Sequence, residues 1–199
     1  VQTVVNGFGV IFIAGFTATN KLYGVLEVAA TSYGYAMITY AGQNLGAGKI
    51  ERIKKGMKSA ILVAIATAAI IAVCMLVFGH EILGCFISGT PEEVEMTMNI
   101  AYHYLAIMSI CLPILYILHV VRSALQGMGD TLLPMVSGIV EFAMRTGTAI
   151  LLPMAIGEEG IFYAEILAWM GADAILVSSY LVRVKKLDRM NKKEGGWIG

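Results

Sequence analysis

The chain has 199 residues, of which 58% are hydrophobic and only 14% charged, and its mean hydropathy is +0.76. A soluble domain carries about 25% charged residues, and a soluble core of this size would lack the polar surface to face water. Composition therefore excludes a disordered chain, a nucleic-acid binder and a disulfide scaffold, argues against a soluble enzyme, and leaves an all-α integral membrane protein.

Six apolar stretches follow one another, at about residues 1–18, 23–47, 59–78, 100–121, 132–156 and 161–184. Val1 lies inside the first of them with no initiator Met and no signal peptide, so the chain is expected to belong to a longer protein. A helix needs about 20 residues to cross the hydrocarbon layer. The last four stretches meet that length. The first two are separated only by Asn20 and Lys21 and read, from the residues alone, as two spans. Lipid leaves no partner for a free backbone amide, so each span is a helix or a barrel strand. Runs this long without alternation exclude the barrel.

The connections carry turn chemistry. Gly46-Ala47-Gly48, Ser88-Gly89-Thr90-Pro91, Gly127-Met128-Gly129-Asp130 and Gly157-Glu158-Glu159-Gly160 each interrupt a helical pattern. Thr90 before Pro91, Glu92 and Glu93 predicts an N-capped helix start.

Fourteen basic residues balance fourteen acidic ones, so their placement carries the information. Lys49, Arg52, Lys54, Lys55 and Lys58 flank one connection and Arg122 the next but one. Arg183, Lys185, Lys186, Arg189, Lys192 and Lys193 crowd the C-terminal end. By parity these fall on one side, while Glu81, Glu92, Glu93, Glu95, Glu158 and Glu159 fall on the other. Basic loops stay in the cytoplasm. The expected topology is multi-pass with both ends of the chain cytoplasmic, and residues 188–199 form a basic tail after a lobe of residues 1–187.

Between helices in lipid, small residues replace the hydrophobic drive. Ala60, Ala64, Ala68 and Ala72 form one i, i+4 ladder, Ala164, Ala168 and Ala172 another, and Gly42 and Gly46 a GxxxG pair. Pro113, inside a span, removes the bond to the Ser109 carbonyl and permits a kink. Cys74, Cys85 and Cys111 have no paired spacing and read as apolar filler.

Ionisable groups at membrane depth are costly and mark function by default. Glu141 and Arg145 stand at i, i+4 and can meet on one face, either as an internal salt bridge or as an ion-sensitive pair beside a wet cavity. Asp173 lies near the middle of the last span and Glu165 near its outer end. Glu27 is a candidate cation or proton ligand, or a partner of Lys21 or Arg145; it sits six residues from Lys21, on another helical face. His119, near Tyr116, is a candidate proton relay. His80, His103 and His119 have no metal-ligand spacing. Twelve Met and nine Tyr suit an adaptable apolar cavity, and equally a membrane core. Gly48-Lys49 does not complete a phosphate-binding loop, because Gln43 and Ile50 stand where Gly and Ser or Thr are needed. Catalytic motifs of hydrolases and proteases are lacking, so no enzyme is expected.

The segment Ala41-Gly42-Gln43-Asn44-Leu45-Gly46-Ala47-Gly48-Lys49 with Glu51-Arg52 resembles a signature of the multidrug and toxic compound extrusion (MATE) transporters. Arg122-Ser123-Ala124-Leu125-Gln126-Gly127-Met128-Gly129-Asp130-Thr131 looks like that family's second landmark, with Glu141 and Arg145 following at the expected distance. Asn6-Gly7-Phe8-Gly9 and Ala14-Gly15-Phe16-Thr17-Ala18 fit as well, so the likeness runs along the whole chain. The resemblance implies one six-helix lobe, its first helix truncated, of a two-lobe, twelve-helix plasma-membrane antiporter. It implies export of drugs or other organic compounds by alternating access, driven by Na⁺ or H⁺, with no cofactor. It also replaces the two-span reading of the first stretches by a turn at Asn6 to Gly9 and one long helix from about Val10 to Gly46. Counting back from Asp130 to where some members hold an ion-binding carboxylate reaches Leu115, so that site is missing here. The implied partners are small organic substrates, the bilayer and an N-terminal lobe. Two alternatives stand beside this reading: a lipid-linked oligosaccharide flippase, for which only Lys21 and Arg145 offer cations, and a non-transporting fragment lacking the other lobe.

Overall fold

The computed structural model describes residues 6–193, a short 3-10 turn at Asn6–Phe8 followed by five long helices. These are α1 (Val10–Gly46), α2 (Ile50–Gly84), α3 (Pro91–Gly127), α4 (Leu132–Ile156) and α5 (Glu159–Lys193), with no strand among the described residues. The truncated first helix falls on residues 1–5, outside the described residues. Four helices, α2 to α5, are long and apolar enough to cross a membrane.

The division at Asn20 and Lys21 is corrected: α1 runs through both without a break. The physical reason is tertiary. Asn20 turns inward, where its Oδ1 accepts a hydrogen bond from the Tyr104 hydroxyl at 3.3 Å, and Thr19 Oγ1 donates to the Ala101 carbonyl at 2.8 Å. Lys21 is exposed. A polar pair that reads as a turn is thus a helical turn with one satisfied side chain and one outside. At 37 residues α1 is about 55 Å long.

Helix α3 is the centre of the bundle. It packs along α1 and α2, touches α5, and meets α4 briefly, while α4 lies chiefly against α5. Phe12 and Phe16 of α1, Tyr104 of α3 and Phe162 of α5 form a buried aromatic column; Tyr104 and Phe162 stack at 4.6 Å between ring centroids and Tyr104 and Phe16 at 5.1 Å. The alanine ladders do pack: Ala64 and Ala68 are fully buried, as are Ala168 and Ala172, with Ala164 nearly so. Of the GxxxG pair only Gly42 approaches another helix, since a Cβ there would lie 3.2 Å from the Gly127 carbonyl; nothing stands near Gly46. Helix α3 continues through Pro113.

The two family landmarks are the same backbone device. Helix α1 ends with Gly48 at φ 69°, the Lys49 amide donating to the Asn44 carbonyl at 2.8 Å and the Gly48 amide to Leu45 at 3.0 Å. Helix α3 ends with Gly129 at φ 78°, the Asp130 amide donating to Leu125 at 3.0 Å and the Gly129 amide to Gln126 at 2.9 Å. Both are Schellman closures, which need a left-handed residue and favour glycine. They reverse the chain at one end of the bundle.

That end is the basic one. Lys54 Nζ bonds Asp188 of α5 at 3.0 Å and also pairs with Glu51, and Arg183 Nη2 donates to the Met128 carbonyl at 3.1 Å. Bonding to Glu51 first and Asp188 second raises the Lys54 pKa above its ordinary value. Helix α5 runs unbroken past residue 187 to Lys193, with Asp188 tied into the lobe; residues 194–199 lie outside the described residues. At the opposite end, Thr90 caps α3 and His103 Nε2 stands 3.8 Å from Glu159. Arg122 and Arg183 are half-buried and turn inward.

Candidate functional site

Helices α3, α4 and α5 each deliver charged side chains to one band inside the bundle. Glu141 of α4 accepts from two guanidinium groups: Arg122 Nη2 of α3 lies 2.6 Å from Oε2, and Arg145 Nη2, one turn along α4, lies 2.8 Å from Oε1. Arg145 Nε stands 2.9 Å from Glu165 Oε2 of α5, at ion-pair distance though its N–H is not aligned for a hydrogen bond. The pairing expected between Glu141 and Arg145 therefore exists, extended at both ends into a chain Arg122–Glu141–Arg145–Glu165 crossing three helices. Glu141 is the most enclosed member, with a side chain only 16% exposed. Charge-assisted bonds of this kind are what allow a carboxylate to stay ionised in apolar surroundings.

Asp173 sits two turns beyond Glu165 on α5, within electrostatic reach of Arg122 and Glu141. Its Oδ1 is buried and has no hydrogen-bond partner among the described residues. With Asp173 included, the band holds three carboxylates against two guanidinium groups. Carboxylates thus outnumber guanidinium groups by one, and Asp173 is the one without an ion-pair partner among the described residues.

Glu27 makes neither of its expected pairs. Lys21 is exposed and forms no ion pair among the described residues, and the group facing Glu27 Oε1 is His119 Nε2 of α3 at 3.8 Å. The other ring nitrogen, Nδ1, lies 3.0 Å from the Leu115 carbonyl. With the proton on Nδ1, Nε2 faces Glu27 as an acceptor, and the two are joined only when one gains a further proton. Tyr116 does not join this pair. It is fully buried and its hydroxyl donates to the Leu26 carbonyl at 3.3 Å.

Most of the landmark residues hold backbone rather than charge. Gly42, Gly127 and Gly129 serve the helix crossing and the turns; Asn44 Nδ2 donates to the Tyr40 carbonyl at 2.8 Å, and Asp130 Oδ1 accepts from the Leu133 amide at 3.2 Å. Gln43 and Gly46 are exposed. Arg122, by contrast, belongs to the charge band, and so does Glu165, which sequence reading placed merely near the end of its span. The available signal for Glu165 was its eight-residue distance from Asp173, which sets both near one side of α5.

Five long helices, four of them apolar enough to cross a membrane, with ion pairs bridging three of them, define an α-helical membrane-protein lobe. The MatE family model matches residues 1–158. The chain belongs to that family, whose members are transporters and not enzymes. The probable multidrug resistance protein YoeA of Bacillus subtilis is 26% identical over 183 residues, covering 92% of this chain and 37% of that protein. Protein DETOXIFICATION 56 of Arabidopsis thaliana is 28% identical over 194 residues, covering 96% and 35%. The fold matches a MOP superfamily transporter from Pyrococcus furiosus (TM-score 0.84, 15% identity, 94% of this chain and 43% of that one). It also matches a multidrug resistance MATE family transporter in an outward-facing conformation (TM-score 0.84, 15% identity, 94% and 42%). The chain thus spans a little over a third of the length of the curated relatives it matches.

Proposed function

We propose that this chain is the C-terminal lobe of a cation-coupled exporter of drugs or other organic compounds, working by alternating access against an N-terminal lobe in the plasma membrane. Both ends of the lobe-forming chain would be cytoplasmic, because the basic connections gather at one end of the bundle and basic loops stay inside. The observation that carries the reading is the unbalanced charge band, three carboxylates against two guanidinium groups. Binding of H⁺ or Na⁺ at Asp173 would neutralise the band and stabilise one packing of α3, α4 and α5 over another, which is how an ion gradient biases two transporter states. Glu27 with His119 offers a second proton site. The oligosaccharide-flippase reading gains no support, since Lys21 is exposed and Arg145 is already held by two carboxylates.

The test uses the full-length transporter in cells and in vesicles with imposed pH or Na⁺ gradients. Glu141→Gln is expected to abolish drug resistance. Asp173→Asn is expected to keep dye binding while efflux loses its dependence on the driving gradient. Unchanged export by Glu141→Gln excludes that residue from the mechanism, and an unaltered gradient dependence in Asp173→Asn overturns the ion site. Reconstituting this chain with and without the N-terminal half separates a working lobe from an inert one.

A further inference from the structure

Away from the charge band, a groove of about 550 Å³ opens at the basic end of the α1–α2 hairpin. Tyr40, Gln43 and Asn44 line it from α1, and Lys49, Arg52 and Lys55 from the first turns of α2. Tyr40 and Lys55 also border a second groove of about 460 Å³, which continues between the same two helices along Tyr33, Ala36, Met37, Gly56 and Ala60. The two adjoin at Tyr40 and Lys55 and together make an amphipathic slot, the first part cationic and the second mostly apolar.

The three cations are exposed, and none makes an ion pair among the described residues. The one carboxylate on that turn, Glu51, is taken by Lys54, which faces α5 and Asp188 instead. The slot's shape is built in. The Tyr40 hydroxyl donates to the Arg52 carbonyl at 2.9 Å, and its ring lies across Gly56, where any Cβ would collide with it. Further down, the Tyr33 hydroxyl bonds Thr67 Oγ1 at 2.6 Å, which occupies the Tyr33 polar atom at the border of the apolar limb.

We propose that this slot binds an anionic phospholipid, its phosphate held by Lys49, Arg52 and Lys55 and an acyl chain laid along Ala36, Met37 and Ala60. The cations precede the apolar run that starts near Ser59, which sets them at headgroup level, and the unpaired positive charge is complementary to an anionic headgroup. A free phosphate would use the mouth alone; the apolar limb selects the lipid.

Native mass spectrometry of the full-length transporter in mild detergent reads the binding, with phosphatidylglycerol, phosphatidylcholine and inorganic phosphate as probes. Phosphatidylglycerol is expected to bind at least about tenfold more tightly than phosphatidylcholine, with inorganic phosphate displacing it only in large excess. The triple variant Lys49→Gln, Arg52→Gln, Lys55→Gln should lose about tenfold or more in phosphatidylglycerol affinity, while Lys185→Gln, Lys186→Gln, Arg189→Gln, which removes as much charge elsewhere, stays within about twofold. Ala36→Trp keeps every charge and fills the apolar limb, so it decides the matter even if the triple variant misfolds; it should weaken the lipid and leave inorganic phosphate unaffected. Equal loss from both triple variants, equal binding of the two lipids, displacement by phosphate at equal concentration, or undiminished lipid binding by Ala36→Trp each overturns the proposal.

Discussion

Glu141 illustrates how this lobe keeps charge inside an apolar bundle. Its two oxygens are each claimed by a different guanidinium group, one from α3 and one from its own helix, so desolvation is offset by two short charge-assisted bonds. Asp173 has no such cover on Oδ1, and that contrast is why Asp173, rather than Glu141, is the carboxylate proposed to take the ion. Glycine works at the same scale by absence. At Gly127 a Cβ would run into the Ile38 carbonyl of α1 and crowd the Ala41 side chain. The obstacle is backbone, so it cannot swing aside. Gly127→Ala should therefore cost about 1–3 kcal/mol, read as a lowered melting temperature in detergent; an unchanged melt would mean that the crossing of α1 over α3 is looser than described.

Among the elements, α3 has the best-defined start. Thr90 Oγ1 accepts from the Glu93 amide at 3.4 Å, and the Glu93 carboxylate accepts from the Thr90 amide at 3.0 Å and its hydroxyl at 2.8 Å. The Thr90 backbone bond, then the hydroxyl bond, holds the Glu93 carboxyl below its ordinary pKa. A depressed carboxyl pKa contributes stability that is present above the ordinary value and is lost as pH falls through the folded one. Amide hydrogen exchange in the first turn of α3 should thus lose protection on acidification, and Glu93→Gln should abolish that step. Thr90→Ala should open the turn at neutral pH, weakening it by about 1 kcal/mol. A Glu93→Gln variant with the wild-type pH profile would contradict the capping box.

For the whole molecule, the testable property is sidedness. The α1–α2 and α3–α4 turns and the end of α5 share one face, joined by Lys54 to Asp188 and by Arg183 to Met128. The Glu92 region lies at the other end with Glu159. In a full-length transporter with Cys74, Cys85 and Cys111 replaced by Ser, Glu92→Cys should react with an impermeant thiol reagent added to intact cells and Lys49→Cys should not. Labelling of both, or of Lys49→Cys alone, would reject the orientation.

The sequence alone determined the fold class, the spans from α2 to α5, the turns and the gathering of basic residues, because these are properties of neighbours along the chain: apolar run length, glycine at helix ends, Thr90 before Pro91. It also carried the family, through ordered local motifs. Residue by residue, the site was only half legible. Glu141 with Arg145 could be read at helical spacing, whereas Arg122, Glu165 and His119 acquired their partners only when α1, α3, α4 and α5 came side by side. The break that the residues alone suggest at Asn20, which the family resemblance already replaces by one helix from Val10 to Gly46, is absent for the same reason. A polar residue in an apolar run is ambiguous until its partner is known, and that partner, Tyr104, lies 84 residues away in another helix. Local backbone chemistry is written in consecutive residues; the pairing of buried polar groups is settled by which helix faces meet, and that depends on packing across the whole lobe.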